Sequence, residues 1–100
     1  MANYRLTNRA VADLTQIWKY TFDKWSENQA DQYYKMLIDH FDKLAVNPDL
    51  GKDYYMVANS LLGFKAGRHI IFYHRIDTNQ IEIVRILHEQ MDLRSRLDDK

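Results

Sequence analysis

A chain of 100 residues, 46% of them hydrophobic, suits one small domain and is too apolar to stay disordered. Its 14 acidic and 14 basic residues cancel, so it lacks the strong positive charge of a general nucleic-acid binder. It has no cysteine, which excludes a disulfide framework, a thiol nucleophile and a thiolate metal site. No basic-then-apolar leader is visible, and no run of about 18 apolar residues occurs. The expectation is a single domain over residues 1–100, soluble and cytoplasmic, with no membrane contact.

Asn3-Tyr4-Arg5-Leu6-Thr7 alternates polar and apolar residues and reads as a short edge strand. Thr7 or Asn8 can cap the helix that follows. Ala10, Val11, Leu14, Ile17, Trp18, Thr21, Phe22 and Trp25 then recur at spacings of three and four. They predict an amphipathic helix of about five turns with this stripe facing inward. Ser26 and Gln29 have capping-box spacing. The stripe of Ala30, Tyr33, Tyr34, Leu37, Ile38, Phe41, Leu44 and Ala45 predicts a second helix, which Asn47-Pro48 stops. Two long helices with so short a connection run antiparallel.

Residues 47–60 lack periodicity and read as a loop with a short turn of helix. Residues 61–66 predict a strand, Gly67-Arg68 a turn and residues 69–76 a second strand. Asp77-Thr78-Asn79-Gln80 turns the chain into a third strand. On the middle strand Ile70, Phe72 and Ile76 share one face, and Ile71 and Tyr73 the other. Such a strand is covered on both sides. The helices cover one face; a partner or the segment 91–97 would cover the other.

The chemistry on offer is sparse. With three glycines in all, there is no phosphate-binding loop or dinucleotide fingerprint. His69 and His74 point to opposite faces of one strand, His40 follows Asp39 on the second helix, and no metal-ligand spacing exists. Neither a metal nor a cofactor is expected. Residues 61–76 carry Lys65, Arg68 and Arg75 without an acid, which is either an ordinary solvated face or a basic surface for an acidic partner or phosphates. Trp25, Tyr33 and Tyr34 lie near the hairpin tip, where exposed aromatics would form a contact hot spot; core packing is the alternative.

The sharpest feature is Ile81-Glu82-Ile83-Val84-Arg85-Ile86-Leu87-His88-Glu89-Gln90-Met91-Asp92, an apolar strand with an arginine inside it. A buried charge is costly unless it is paired or used. Arg85 could pair with Asp92, Asp77 or Glu82. Arg85 and His88 are three apart along the strand, which puts them on opposite faces and argues against a paired catalytic site.

In this order the elements resemble the ParE toxins of the RelE/ParE superfamily, the toxic halves of type II toxin–antitoxin pairs. The resemblance runs nearly end to end. It includes Ala12-Asp13-Leu14 with Ile17-Trp18-Lys19-Tyr20, Gln29-Ala30 with Tyr33-Tyr34 and Leu37, and Leu44-Ala45 before Pro48 and Gly51. It closes with His69-Ile70-Ile71-Phe72-Tyr73 and the run from Ile83 to Asp92. It implies an α+β fold: a two-helix antiparallel hairpin packed on a small, mainly antiparallel β-sheet. It also implies a ParD-like antitoxin partner in a hetero-oligomer, and DNA gyrase as the target, inhibited by protein–protein contact.

The RelE branch cleaves mRNA on the ribosome, which needs a base, an acid and cations around the phosphorane. RelE-like sheets carry a tyrosine near the C-terminus. This chain has Leu93-Arg94-Ser95-Arg96-Leu97 there and no tyrosine after Tyr73. The resemblance therefore favours a non-enzymatic toxin with no catalytic residue and no direct nucleic-acid binding. A ribosome-dependent endonuclease and an inactive binding module are the alternatives. The expected partner-binding residues are Trp25, Tyr33, Tyr34, Arg68, Tyr73, Arg85 and His88.

Overall fold

The computed structural model describes residues 2–90. Asn3–Leu6 (β1) leads through Thr7 into the helix Asn8–Lys24 (α1). Thr7 caps that helix by accepting the Ala10 N–H at 3.1 Å, the contact an N-cap hydroxyl makes with an otherwise orphan donor. Its hydroxyl also donates to the Val84 carbonyl at 2.9 Å. One residue thus ends the strand, starts the helix and ties both to a distant strand. Ser26 caps the second helix, Glu27–Val46 (α2), by accepting the Gln29 N–H at 3.0 Å. Pro48 then opens the 3-10 turn Pro48–Leu50.

Lys52–Asp53 (β2), Leu62–Ala66 (β3), His69–Asp77 (β4) and Gln80–His88 (β5) complete a five-stranded sheet of order β1-β5-β4-β3-β2. Only the β1–β5 pair is parallel. The structure is therefore the expected α+β fold, a two-helix hairpin on a mixed, mostly antiparallel sheet, with β1 at an edge. β2 is an addition within a segment expected to be loop.

The main core lies between helices and sheet. Leu37, Phe41, Leu44 and Ala45 of α2 meet Ile71, Tyr73, Ile81, Ile83 and Ile86 there. From α1 only Ala10 and Leu14 are buried, and Ile17 packs against this core. The expectation of an inward-facing stripe along the whole of α1 is thus corrected at Val11, which is exposed, and in its second half. Phe22 and Trp25 are exposed, Trp25 to 72%, because the core reaches along α1 only as far as Ile17. Beyond it Trp18 stacks on Phe22 at 5.2 Å and donates its indole N–H to Asp31 of α2 at 3.0 Å.

The far face of the sheet has its own small core of Leu61, Ile70, Phe72 and Leu87. Tyr54 and Ala58 pack against it, Tyr54 edge-on to Phe72 at 5.1 Å. The segment between β2 and β3 thus covers part of the face whose cover was expected from a partner or from residues 91–97. The latter lie outside the described residues, as does Asp92.

Two irregularities set the register of β4 against β5. Val84 has no partner between the pairs Ile83–Tyr73 and Arg85–Phe72, and Ile76 has none between Arg75–Ile81 and Asp77–Gln80. An extra residue shifts the alternation of side chains. Ile83 and Ile86, three apart, accordingly both face the helices.

Candidate functional site

Beyond Ile83 the edge of β5 is paired no longer by β1 but by the start of α1. Arg85 reaches α1, where its Nε and Nη2 donate to the two carboxylate oxygens of Asp13 at 2.7 and 3.0 Å. The same carboxylate accepts the Ile86 N–H at 3.0 Å. Both side chains are 15% exposed. Asp13 is therefore the partner, and the expected pairings with Asp77 and Glu82 are corrected. Asp77 instead accepts the Asn79 N–H within its turn at 2.8 Å. Glu82, on the far face, binds Arg5 at 3.0 Å and His74 at 2.8 Å.

Arg85 and His88 both line a cleft of about 310 Å³ between α1 and β5. The separation onto opposite faces expected from their spacing does not keep them apart: β1 pairs β5 only as far as Ile83, and the long Arg85 side chain reaches α1 beside the edge left beyond it. His69 and His88 are direct cross-strand partners with ring centroids 5.3 Å apart. They line this cleft and an adjoining one of about 350 Å³, which runs to the hairpin tip.

Tyr33 organises the floor of the larger cleft. Its hydroxyl accepts the Arg68 N–H at 3.0 Å and lies 2.7 Å from His69 Nδ1. This approach needs a glycine at position 67. Gly67 has a φ of +60°, and a Cβ there would lie 2.7 Å from the Tyr33 hydroxyl; a side chain would meet both backbone strain and a clash. Burial, then the neighbouring His88, lowers the His69 pKa to about 4 by disfavouring the charged ring. Burial likewise raises that of Tyr33. The pair is uncharged at physiological pH.

Of the expected site residues, Trp25, Tyr33, Arg68 and His88 line the larger cleft together, and Arg85 lines the smaller. Tyr34 is exposed but lines neither. Tyr73 is fully buried. Its hydroxyl donates to the Pro48 carbonyl at 2.6 Å and accepts the Gly51 N–H at 2.9 Å. It anchors the loop after α2 from inside the core and reaches no surface. Asp13 and His69 belong to the site and were missed. For His69 a signal existed: the two-residue turn Thr78-Asn79 pairs Asp77 with Gln80, and counting back from there sets His69 opposite His88. The two extra residues cancel, so that count holds.

Residues 4–93 match the family described as ParE toxin of type II toxin–antitoxin system, parDE. The chain belongs to the ParE toxin family. A Toxin ParE1 of Mycobacterium tuberculosis is 35% identical over 92 residues, covering 92% of this chain and 94% of the relative. A Toxin ParE1 of Caulobacter vibrioides is 34% identical over 97% of this chain and 99% of its own length. The Toxin ParE of Escherichia coli is 33% identical across 100% of this chain and 97% of its own. A solved structure described as a chromosomal ParDE TA system from P. aeruginosa shares the fold with a TM-score of 0.74 at 16% identity. That match covers 88% of this chain and 96% of that one. In this ParE-family chain, no described helix is long and apolar enough to cross a membrane.

Proposed function

We propose that this ParE-family toxin inhibits DNA gyrase by protein–protein contact, without catalysis of its own, and is neutralised by a ParD-like antitoxin. Gyrase contact comes from the family resemblance. The observation that supports the non-catalytic part is the pairing of Arg85. Arg85, which an RNA-cleaving site would use on a phosphate, is neutralised bidentately by Asp13. Such a pair holds structure rather than a transition state. The cleft rim meanwhile exposes Tyr20 and Trp25 beside Lys24 and Arg68, a combination of aromatic and cationic groups enriched at protein interfaces.

The antitoxin would engage the same region by laying a helix into the cleft, or by adding a strand to the β1 edge. Production of the protein with and without its antitoxin, followed by primer extension on translated messages, tests this reading. Arrested DNA synthesis, relieved by antitoxin and unaccompanied by message cleavage, is expected. Cuts positioned at codons would instead establish the ribosome-dependent endonuclease. Normal growth of cells holding folded toxin would establish an inactive binding module.

A further inference from the structure

The hydrogen bonds on the cleft floor fix which nitrogen of His88 carries the proton and favour one tautomer of His69. The Arg68 N–H already donates to the Tyr33 oxygen, so the tyrosine's own hydrogen is available to His69 Nδ1 at 2.7 Å. The alternative acceptor, the Ala66 carbonyl, is farther away at 3.4 Å. On the opposite strand the Gln90 N–H donates to His88 Nδ1 at 3.1 Å. A neutral imidazole whose Nδ1 accepts carries its hydrogen on Nε2. Both rings therefore present an Nε2–H, and neither donor has an acceptor among the described residues. They stand side by side as cross-strand neighbours at the wall shared by the two clefts.

Two cations join them. Lys24 and Arg68 line the same cleft. Of the nearby acids, Asp13 binds Arg85 and Glu89 binds Lys65 at 2.9 Å; Glu89 also acts through its charge on Arg68 and His88, so Lys65 offsets the one carboxylate beside the cleft. Two neutral donors and two cations around one open volume form a site for an oxyanion. The rest of the wall is Tyr20, Trp25 and Tyr33 with Thr21 and Gln29. Tyr20 and Trp25 are 65% and 72% exposed, beyond the reach of the core, and such rings stack readily on planar bases. The volume of about 350 Å³ lies near the small end of ligand sites, enough for one planar ring and one phosphate.

We propose that the larger cleft binds a mononucleotide. Its phosphate sits on the Nε2–H groups of His69 and His88 with Lys24 and Arg68, and its base lies against Trp25 and Tyr20. The site shares its rim residues with the protein-contact reading above, but titration of the toxin alone, with neither gyrase nor antitoxin present, lets the two readings fail separately. Calorimetric titration of the intact protein with AMP, GMP, inorganic phosphate and adenosine tests it. Either or both nucleotides should bind more tightly than phosphate or adenosine. Lys24→Gln and Arg68→Gln, both at exposed positions, should each weaken nucleotide binding about tenfold with unchanged melting temperature. Trp25→Ala should bring nucleotide affinity down to that of phosphate. The proposal is overturned by no nucleotide binding at millimolar concentration, or by phosphate binding as well as the nucleotides with Trp25→Ala inert. A short single-stranded RNA binding far more tightly than either nucleotide would overturn it as well, because the cleft would then be part of a polymer groove.

Discussion

Asp13 is the residue on which the site's geometry depends. It receives both prongs of Arg85 and the backbone N–H of Ile86, so one carboxylate fastens α1 to the bulged part of β5. Removing one partner of a largely buried pair leaves the other charge without compensation. Asp13→Ala should cost about 3 kcal/mol in urea unfolding, while Arg85→Met, which removes the charge and keeps the volume, should cost less. Little in the sequence marked Asp13 as this partner, because the two residues are 72 apart and the point where β1 stops pairing β5 and α1 takes its place has no sequence signature.

The same scale governs the pH response. The folded His69 pKa of about 4 lies below its ordinary 6.5. Its contribution is therefore complete above pH 6.5 and is lost as pH falls toward 4, since the unfolded chain takes up the proton first. Glu82 acts in the same direction lower down. Its hydrogen bond from His74, and then Arg5, depresses its pKa, so its contribution disappears as pH drops below the ordinary glutamate range. Unfolding free energy should decline on acidification from pH 6.5, and His69→Gln should flatten the upper part of that decline. A wild-type stability independent of pH between 6.5 and 4 would contradict the buried neutral imidazole.

Among the elements, the helices were the most legible. Thr7, Ser26 and Asn47-Pro48 mark their ends in local chemistry, and the observed spans agree. How far each helix is buried was less legible, because periodicity says which face is apolar and not how far the sheet extends beneath it. Hence Phe22 and Trp25 continue a core stripe in sequence and stand outside the core in space. The loop after α2 looked featureless, yet it is tied down from within by Tyr73. A Cβ on Gly51 would collide with the Tyr73 hydroxyl. Gly51→Ala should therefore destabilise by about 1–3 kcal/mol, the usual cost of overpacking. Tyr73→Phe should cost about 1–2 kcal/mol by leaving the Gly51 N–H without its acceptor. Thermal unfolding of both variants checks the pair; a neutral Gly51→Ala would mean that the tyrosine does not hold the loop.

At the scale of the molecule, the two sheet faces divide the work. The helix-facing side carries the main core, and at its edge the clefts gather aromatic, cationic and imidazole groups. The far side carries a small core under Tyr54 and Ala58 and the polar cluster of Arg5, Glu82 and His74. Family and fold were readable end to end because the apolar periodicities and the Ile83-to-His88 run survive in sequence. The cleft was readable only in pieces, because strand edge, cap and ion pair assemble it from residues far apart in the chain.

The most direct test of the account is to add the purified toxin to purified gyrase and relaxed plasmid, with no ribosome present. The account predicts loss of supercoiling with accumulation of gyrase-linked DNA breaks, both reversed by stoichiometric antitoxin. Unchanged supercoiling with no breaks at any toxin dose would contradict it.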